Sequence, residues 1–129
     1  MITVSLNSPI PLHDQLVGEI RRLIATGKII VGDELPPVRQ LANDLGINLN
    51  TVARAYRELT DAGLLASARG RGTIVLADVE RASGRPAEER KRIEGTLAAA
   101  LADAKIAGFS QAETRSMLER HLERLWKPT

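Results

Sequence analysis

The segment Leu35–Val75, LPPVRQLANDLGINLNTVARAYRELTDAGLLASARGRGTIV, contains the pattern that decides the fold. Apolar residues recur at helical spacing in two short runs, and a glycine follows each run. Gly46 and Gly63 are expected helix stops, because glycine adopts a left-handed backbone at low cost. The apolar positions are Val38, Leu41, Ala42 and Leu45, then Val52, Ala55, Tyr56, Leu59 and Ala62. The pattern predicts two short helices joined by a tight turn.

The second of these helices is expected to have a buried back and a polar front. Asn48 is suited to cap its first turn, because the side-chain oxygen can accept from a free backbone N–H. Tyr56 falls on the apolar stripe and is assigned to the core rather than to stacking on a ligand. The polar front carries Asn50, Thr51, Arg54, Arg57 and Glu58.

After Gly63 the sequence favours extended structure. Leu64–Ala68 and Thr73–Ala77 are predicted strands, the second because its Thr-Ile-Val run is β-branched. The tip between them, Arg69–Gly72, alternates arginine with glycine. The glycines permit the turn and the arginines place positive charge on it.

A further amphipathic helix precedes this segment. Pro11–Thr26 carries one apolar face and ends at Gly27, while residues 1–9 are expected to be a flexible or short extended lead-in. Three helices and a two-stranded ribbon make a winged helix-turn-helix. The predicted class is therefore α+β, mainly helical.

The order of these motifs resembles the DNA-binding domain of the GntR family of bacterial transcriptional regulators, and the YtrA-like subfamily in particular. The resemblance runs from about Pro9 to Val75, through PLHDQLVGEIRRLIATGKI, VGDELPPVRQLANDLGI, NTVARAYRELTDAGLL and RGRGTIV. Pro37 departs from the family pattern, because it removes the side-chain cap expected for the second helix. Leu49, Val31 and Ala53 depart as well. Because other subfamilies have arginines that read bases at positions 49 and 53, an operator sequence is not transferred from them.

The resemblance implies which residues meet DNA. They are Arg39, Asn48, Asn50, Thr51, Arg54, Arg69, Gly70, Arg71 and Gly72. Other roles stay open for some of them. Arg39 could instead pair with Asp44 or Glu34, and capping of the helix accounts for at least one of the asparagines. Arg54 is favoured over Arg57, which could be a solvated helix charge.

The last fifty residues predict a helical hairpin. A domain boundary is placed after residue 78, giving a DNA-binding part, 1–78, and a dimerisation part, 79–129. Pro86 suits a helix start, and Ser110 with Glu113 forms a capping box that starts the next helix. A lone hairpin leaves apolar faces uncovered, so a homodimer is expected through residues on these two helices. They are Ile93, Leu97, Leu101, Leu118, Leu122, Leu125 and Trp126.

The predicted partners are a double-stranded DNA operator and a second copy of the chain. A repressor that binds an inverted repeat as a dimer fits the resemblance. A small-molecule effector could also bind between the dimer helices, around Leu97, Leu101, Leu118 and Trp126. The same residues would look identical as a pure dimer core, so both interpretations stand.

Composition excludes several other classes of protein. The 129 residues include no cysteine, so disulfides and thiolate metal sites are absent. His13 and His121 have no companion ligands at metal-binding spacing, and no cofactor is expected. No apolar run is long enough for a membrane helix and no signal peptide is evident, so a cytoplasmic protein is expected. Catalytic residue sets are not evident either, so an enzyme is not expected.

Charge alone says little about DNA binding. The net charge is +2, and residues 1–78 carry eight basic and eight acidic side chains. The interpretation depends on where the arginines lie. Two alternatives remain: a winged helix used as a protein-interaction module without an operator, and a small enzyme or nucleotide-binding protein.

Overall fold

The computed structural model describes residues 2–76 and 86–126 of the chain. Five helices and one two-stranded sheet occur within this range. They are α1 Leu12–Ala25, α2 Val38–Leu45, α3 Leu49–Asp61, β1 Leu65–Ala68, β2 Gly72–Val75, α4 Pro86–Ile106 and α5 Gln111–Trp126. The mainly helical α+β class is confirmed. The chain divides into two compact units, Met1–Ala82 and Ser83–Thr129, and the boundary predicted after residue 78 lies outside the described residues.

Helix α3 is the centre of the first unit. Helices α1 and α2 and strand β1 all pack against it. Its side chains Val52, Ala55 and Leu59 are completely buried, and Tyr56 is nearly so. The rest of the core is aliphatic and comes from the surrounding elements: Leu16, Val17, Ile20, Leu23, Ile24, Ile29, Leu35, Leu41, Ala42, Leu65 and Val75. Burial of this apolar surface drives the unit to fold.

The helix-turn-helix is confirmed with one correction: α3 ends at Asp61, and Ala62, predicted on its apolar stripe, is the exposed C-cap residue. Gly46 follows α2 in a left-handed conformation, with φ of 70°. Asn48 caps α3: its side-chain oxygen accepts from the backbone N–H of Asn50 at 2.7 Å. Pro37 precedes α2 without a side-chain cap, as its sequence departure predicts.

The ribbon is slightly shorter than predicted. Strands β1 and β2 are antiparallel, with Leu65 opposite Val75 and Ala68 opposite Gly72. Leu64 and Leu76 fall outside the strands, although the Leu76 N–H still donates to the Leu64 carbonyl at 2.8 Å. Ala77, the predicted end of the second strand, lies outside the described residues.

A feature that the sequence did not predict lies along the other edge of β2. The segment 32–35, which precedes α2, pairs with β2 through backbone hydrogen bonds. Gly32 N–H donates to Val75, Val75 N–H to Asp33, and Leu35 N–H to Thr73, each at 2.9 Å. Both edges of β2 are therefore occupied, and the ribbon is joined directly to the approach to α2.

The N-terminal segment is attached to α1 rather than free. The Gln15 side chain accepts from Ser5 N–H at 2.8 Å and donates to the carbonyls of Ser5 and Ile10 at 3.0 and 2.8 Å. Ile2 packs against the core of the unit. Neither predicted form describes this lead-in fully, because its contacts hold it on α1 and residues 6–10 form turns and bends rather than extended chain.

The second unit is a helical hairpin. Helices α4 and α5 are in contact, and the predicted capping box is present between them. Glu113 N–H donates to Ser110 Oγ at 3.0 Å, and Ser110 N–H donates to Glu113 Oε1 at 2.9 Å. Hydrogen bonding of the Glu113 carboxyl to Ser110, first to its backbone N–H and then to its side chain, lowers the pKa of that carboxyl. Among the described helices, none is long and apolar enough to cross a membrane.

Candidate nucleic-acid interface

The exposed side of α3 carries a polar stripe opposite the core. Asn50, Arg54 and Arg57 are spaced four and then three residues apart, so they share one side of the helix. All three are exposed. Within the described residues, neither arginine has an ion pair or a side-chain hydrogen bond. The stripe can therefore offer two guanidinium groups to an anionic partner at no cost of breaking internal contacts.

The start of α3 presents backbone donors as well as side chains. Because the Asn48 side chain is occupied by the N–H of Asn50, Asn48 acts first as a cap. Thr51, the residue after Asn50, is partly buried. A helix N-terminus favours anions through its free N–H groups and its dipole. The Thr51 N–H also donates to the Asn48 carbonyl, at 3.1 Å, so the first turn keeps the N–H of Leu49 for an anion in the described residues.

Arg39 lies in the first turn of α2 and is exposed. The sequence leaves open whether it pairs with Asp44 or with Glu34. In the part of the chain that the structure describes, Arg39 pairs with neither carboxylate, and Glu34 instead pairs with Arg71. The guanidinium of Arg39 is thus available for an external ligand.

The two arginines of the ribbon tip differ in their contacts. Arg71 is tied back to the segment before α2: its Nε lies 3.0 Å from Glu34 Oε1, and its Nη2 donates to the Gly32 carbonyl at 2.6 Å. Arg69 is exposed and has no comparable contact in the described residues. Gly70 and Gly72 have φ of 77° and 76°, the left-handed backbone that the turn requires.

A buried tyrosine links α3 to the approach to α2. The Tyr56 hydroxyl donates to the backbone carbonyl of Pro36 at 2.6 Å. Burial raises the pKa of Tyr56 to about 12. The phenol therefore stays protonated at neutral pH and keeps its proton for this hydrogen bond. The predicted assignment of Tyr56 to the core is confirmed, and the hydrogen bond adds a role that hydrophobic spacing could not reveal.

The predicted dimer residues lie on the hairpin and are largely exposed in the single chain. Ile93 is 52% exposed, Leu97 44%, Leu101 38%, Leu122 52% and Trp126 75%, while Leu118 and Leu125 are partly buried. Apolar side chains at this exposure are unfavourable in water. A partner that covers this surface would stabilise it.

A groove of about 560 Å³ lies in the same hairpin, between the end of α4 and the start of α5. Leu101, Phe109 and Leu118 form its apolar part. Lys105 and Arg115 line it as well and add two positive charges. Leu101 and Leu118 belong to the predicted dimer and effector residues, so this groove coincides with part of the predicted effector site.

No group of three or more metal-ligating side chains occurs among residues 2–76 and 86–126. His13 joins α1 to α3 instead: its Nε2 lies 3.4 Å from Glu58 Oε1, and its Nδ1 lies 3.1 Å from Asp14 Oδ1. His13 is therefore a structural residue of the winged unit.

Sequence reasoning missed Glu34 as part of the interface. The sequence indicates it only as a partner for Arg39, whereas the structure places it against Arg71, 37 residues further along the chain. Arg57 lies on the same exposed stripe as Arg54, and the preference for Arg54 stays a prediction. No local signal in the sequence identifies a contact as distant along the chain as that of Glu34 with Arg71.

Comparison with known proteins agrees with this geometry. Residues 12–75 match the family described as bacterial regulatory proteins, gntR family. The HTH-type transcriptional repressor YtrA of Bacillus subtilis is 39% identical over 75 residues, which is 58% of this chain and 58% of that protein. The aligned part thus covers less than two thirds of the length of the curated relatives that it matches.

Two solved structures extend the comparison. YtrA from Sulfolobus acidocaldarius, a GntR-family transcription factor, is 36% identical with a TM-score of 0.56, covering 75% of this chain and 97% of that one. The DNA-binding domain of AraR in complex with operator ORX1 is 30% identical with a TM-score of 0.51, covering 57% and 95% respectively. With the matched motifs, the winged helix-turn-helix and these relatives in agreement, the chain belongs to the GntR family of bacterial regulatory proteins and is similar to its YtrA-type members.

Proposed function

We propose that this chain is a DNA-binding transcriptional repressor that acts on a double-stranded operator. The observation that carries the proposal is the exposed stripe of α3, where Arg54 and Arg57 have no partner in the described structure. Free guanidinium groups on a helix of this fold suit the major groove and its phosphates. Two relatives support the proposal: one is named a repressor, and the AraR domain was solved on an operator.

Each predicted contact residue has a role in this proposal. Arg39, Asn50, Thr51 and Arg54 meet the major groove or its flanking phosphates. Arg69, Gly70, Arg71 and Gly72 bring the wing to the minor groove or backbone, where arginine is favoured and glycine permits close approach. Asn48 caps α3 and thereby holds the other residues in place. Contacts to phosphates supply affinity, and contacts to base edges supply specificity.

The proposal includes a homodimer on an inverted repeat. Residues 1–78 bind DNA and residues 79–129 join two chains through the hairpin side chains Ile93, Leu97, Leu101, Leu118, Leu122, Leu125 and Trp126. The exposed apolar side chains of α4 and α5 support this division. Two-fold symmetry would place each α3 in a major groove about one helical turn, ~34 Å, from its mate.

An effector would act through the same hairpin. The groove beside Leu101 and Leu118 is the candidate site, and the predicted neighbours Leu97 and Trp126 lie on the same two helices. A ligand that prefers one arrangement of the two chains would change the spacing of the winged units and thus the affinity for the operator.

Selection from a pool of random duplexes tests this function for any operator sequence. The protein is expected to enrich an inverted repeat, and footprinting is expected to show two protected half-sites. Sedimentation of the complex should give two chains per duplex. Failure to enrich any sequence, with retained binding to a protein partner, would favour the alternative of a protein-interaction module.

A further inference from the structure

We propose that Glu34 is a positioning residue that sets the specificity of DNA binding by fixing the wing tip through Arg71. The inference rests on the proposed operator-binding function. Glu34 itself carries the wrong charge to bind a phosphate. Its effect is exerted through the guanidinium that it holds.

The contact spans elements that are far apart in the chain. Arg71 is at the tip of the wing, whereas Glu34 lies four residues before the start of α2 at Val38. The guanidinium uses two of its nitrogens on this segment, at 3.0 Å to Glu34 and at 2.6 Å to the Gly32 carbonyl. Two contacts to one planar group define an orientation, which a single contact would not do.

Backbone hydrogen bonds also attach the segment before α2 to the wing. Residues 32–35 bind along β2, including the 2.9 Å hydrogen bond from Leu35 N–H to Thr73. Pro36, the next residue, accepts the hydroxyl of Tyr56 from α3. The segment 32–36 therefore contacts the wing and α3 and leads directly into α2. Movement of the wing tip relative to these helices is opposed at both ends of β2.

Specificity and general affinity should respond differently to the loss of Glu34. An arginine has five N–H donors, and Arg71 uses two of them internally, so others remain for a phosphate. Removing Glu34 also removes a negative charge beside the DNA, which favours non-specific binding. Affinity for an operator, however, is higher when the wing is already ordered, because ordering the wing on binding costs free energy.

The test compares Glu34→Ala with Asp44→Ala. Both variants remove one exposed carboxylate from the same unit, and in the described residues Asp44 has no ion pair or hydrogen bond through its side chain. The measurement is the ratio of Kd for a scrambled duplex to Kd for the duplex enriched by selection. We expect this ratio to fall by up to about fivefold in Glu34→Ala, the range for loss of an exposed ion pair, and to stay unchanged in Asp44→Ala.

Two further variants separate positioning from simple folding effects. Glu34→Gln keeps an acceptor for Arg71 Nε and should restore part of the ratio. In an Arg71→Ala background, Glu34→Ala should cause no further loss, because its effect acts through that arginine. An undiminished loss in that background would overturn the proposed route, as would equal loss of the ratio in Asp44→Ala.

A measurement without DNA separates this inference from the proposed function. NMR relaxation of the Gly70 and Gly72 amides should show a more mobile wing tip in Glu34→Ala than in Asp44→Ala. Unchanged amide mobility together with an unchanged ratio would overturn the inference and leave operator binding intact. Equal affinity of the wild-type protein for the two duplexes would overturn the proposed function and the role in specificity, while the relaxation data would still decide whether Glu34 orders the wing.

Discussion

The hydroxyl of Tyr56 lies 2.6 Å from the carbonyl oxygen of Pro36, so that the middle of α3 is fastened to the residue that leads into α2. The hydrogen bond spans 20 residues of sequence and forms at a buried ring. The backbone carbonyl of Pro36 needs a hydrogen-bond donor, and the Tyr56 hydroxyl supplies it. The two helices of the motif are therefore held together by a polar contact in addition to their apolar packing.

Removing this hydroxyl should destabilise the winged unit without unfolding it. Tyr56→Phe keeps the buried ring but deletes the donor, and a lost hydrogen bond of this kind costs about 1 kcal/mol. For a small domain this lowers Tm by roughly 4–8 °C. Thermal unfolding followed by circular dichroism measures the change. An unchanged Tm would mean that water replaces the hydroxyl at no cost.

Tyr56 also predicts a loss of stability at alkaline pH. Burial raises its pKa from 10.0 to about 12, so the folded state holds the phenolic proton more tightly than the unfolded state. The resulting stabilisation is fully present below pH 10 and is lost as the pH rises through about 12. The chain has one tyrosine, so the absorbance of tyrosinate reports this group alone. Ionisation of the folded protein at a midpoint near 10.0 would contradict the buried position.

Two arginines on α3 form a matched pair for testing the DNA-facing side. Arg54→Ala should weaken operator binding by about 1–3 kcal/mol and relax specificity at one base position, as expected for loss of a base contact. Arg57→Ala should cause a smaller loss that is similar for operator and scrambled DNA, as for a phosphate contact. Both residues are exposed, so circular dichroism should show unchanged folding. Equal effects of the two variants would contradict the distinction drawn between them.

The hairpin offers a second matched pair, at neighbouring positions of α4. Leu97→Glu places a charge on the proposed dimer surface and should produce monomers, because an unpaired charge is costly to bury. Ala98→Glu introduces the same charge one position along the exposed helix and should leave the dimer intact. Sedimentation gives the oligomeric state.

The fluorescence of Trp126 gives an independent measure of dimer formation in Leu97→Glu. It is the one tryptophan of the chain and is 75% exposed in a single chain. Its fluorescence should be blue-shifted in a dimer and red-shifted in Leu97→Glu. Dimers that survive Leu97→Glu, with unchanged fluorescence, would place the interface elsewhere.

Local sequence patterns are sufficient to predict most of the winged unit. The stops at Gly46 and Gly63 and the Asn48 cap depend on neighbouring residues alone, and the structure confirms them. The contacts of Arg71 with Glu34 and of Tyr56 with Pro36 were not predictable, because each joins residues that only the folded chain brings together. The pairing of residues 32–35 with β2 was missed for the same reason, since that segment has no strand-like pattern.

The hairpin shows a different limit of sequence reasoning. Periodicity predicts both helices, and the Ser110–Glu113 capping box places the start of α5. The sequence pattern does not distinguish what covers the apolar side chains, because a partner chain and a bound ligand need the same kind of surface. The dimer and the effector therefore stay predictions, and they need measurements on the assembled protein.

Fluorescence anisotropy against the DNA upstream of the protein's own gene, with a scrambled duplex as the control, tests the central claim most directly. Titrations over ~50–200 mM salt should show that binding weakens as salt rises, because phosphate contacts release counterions. The account predicts tight binding to the upstream duplex alone, with two chains per duplex. Absence of binding to either duplex, even at low salt, would contradict it.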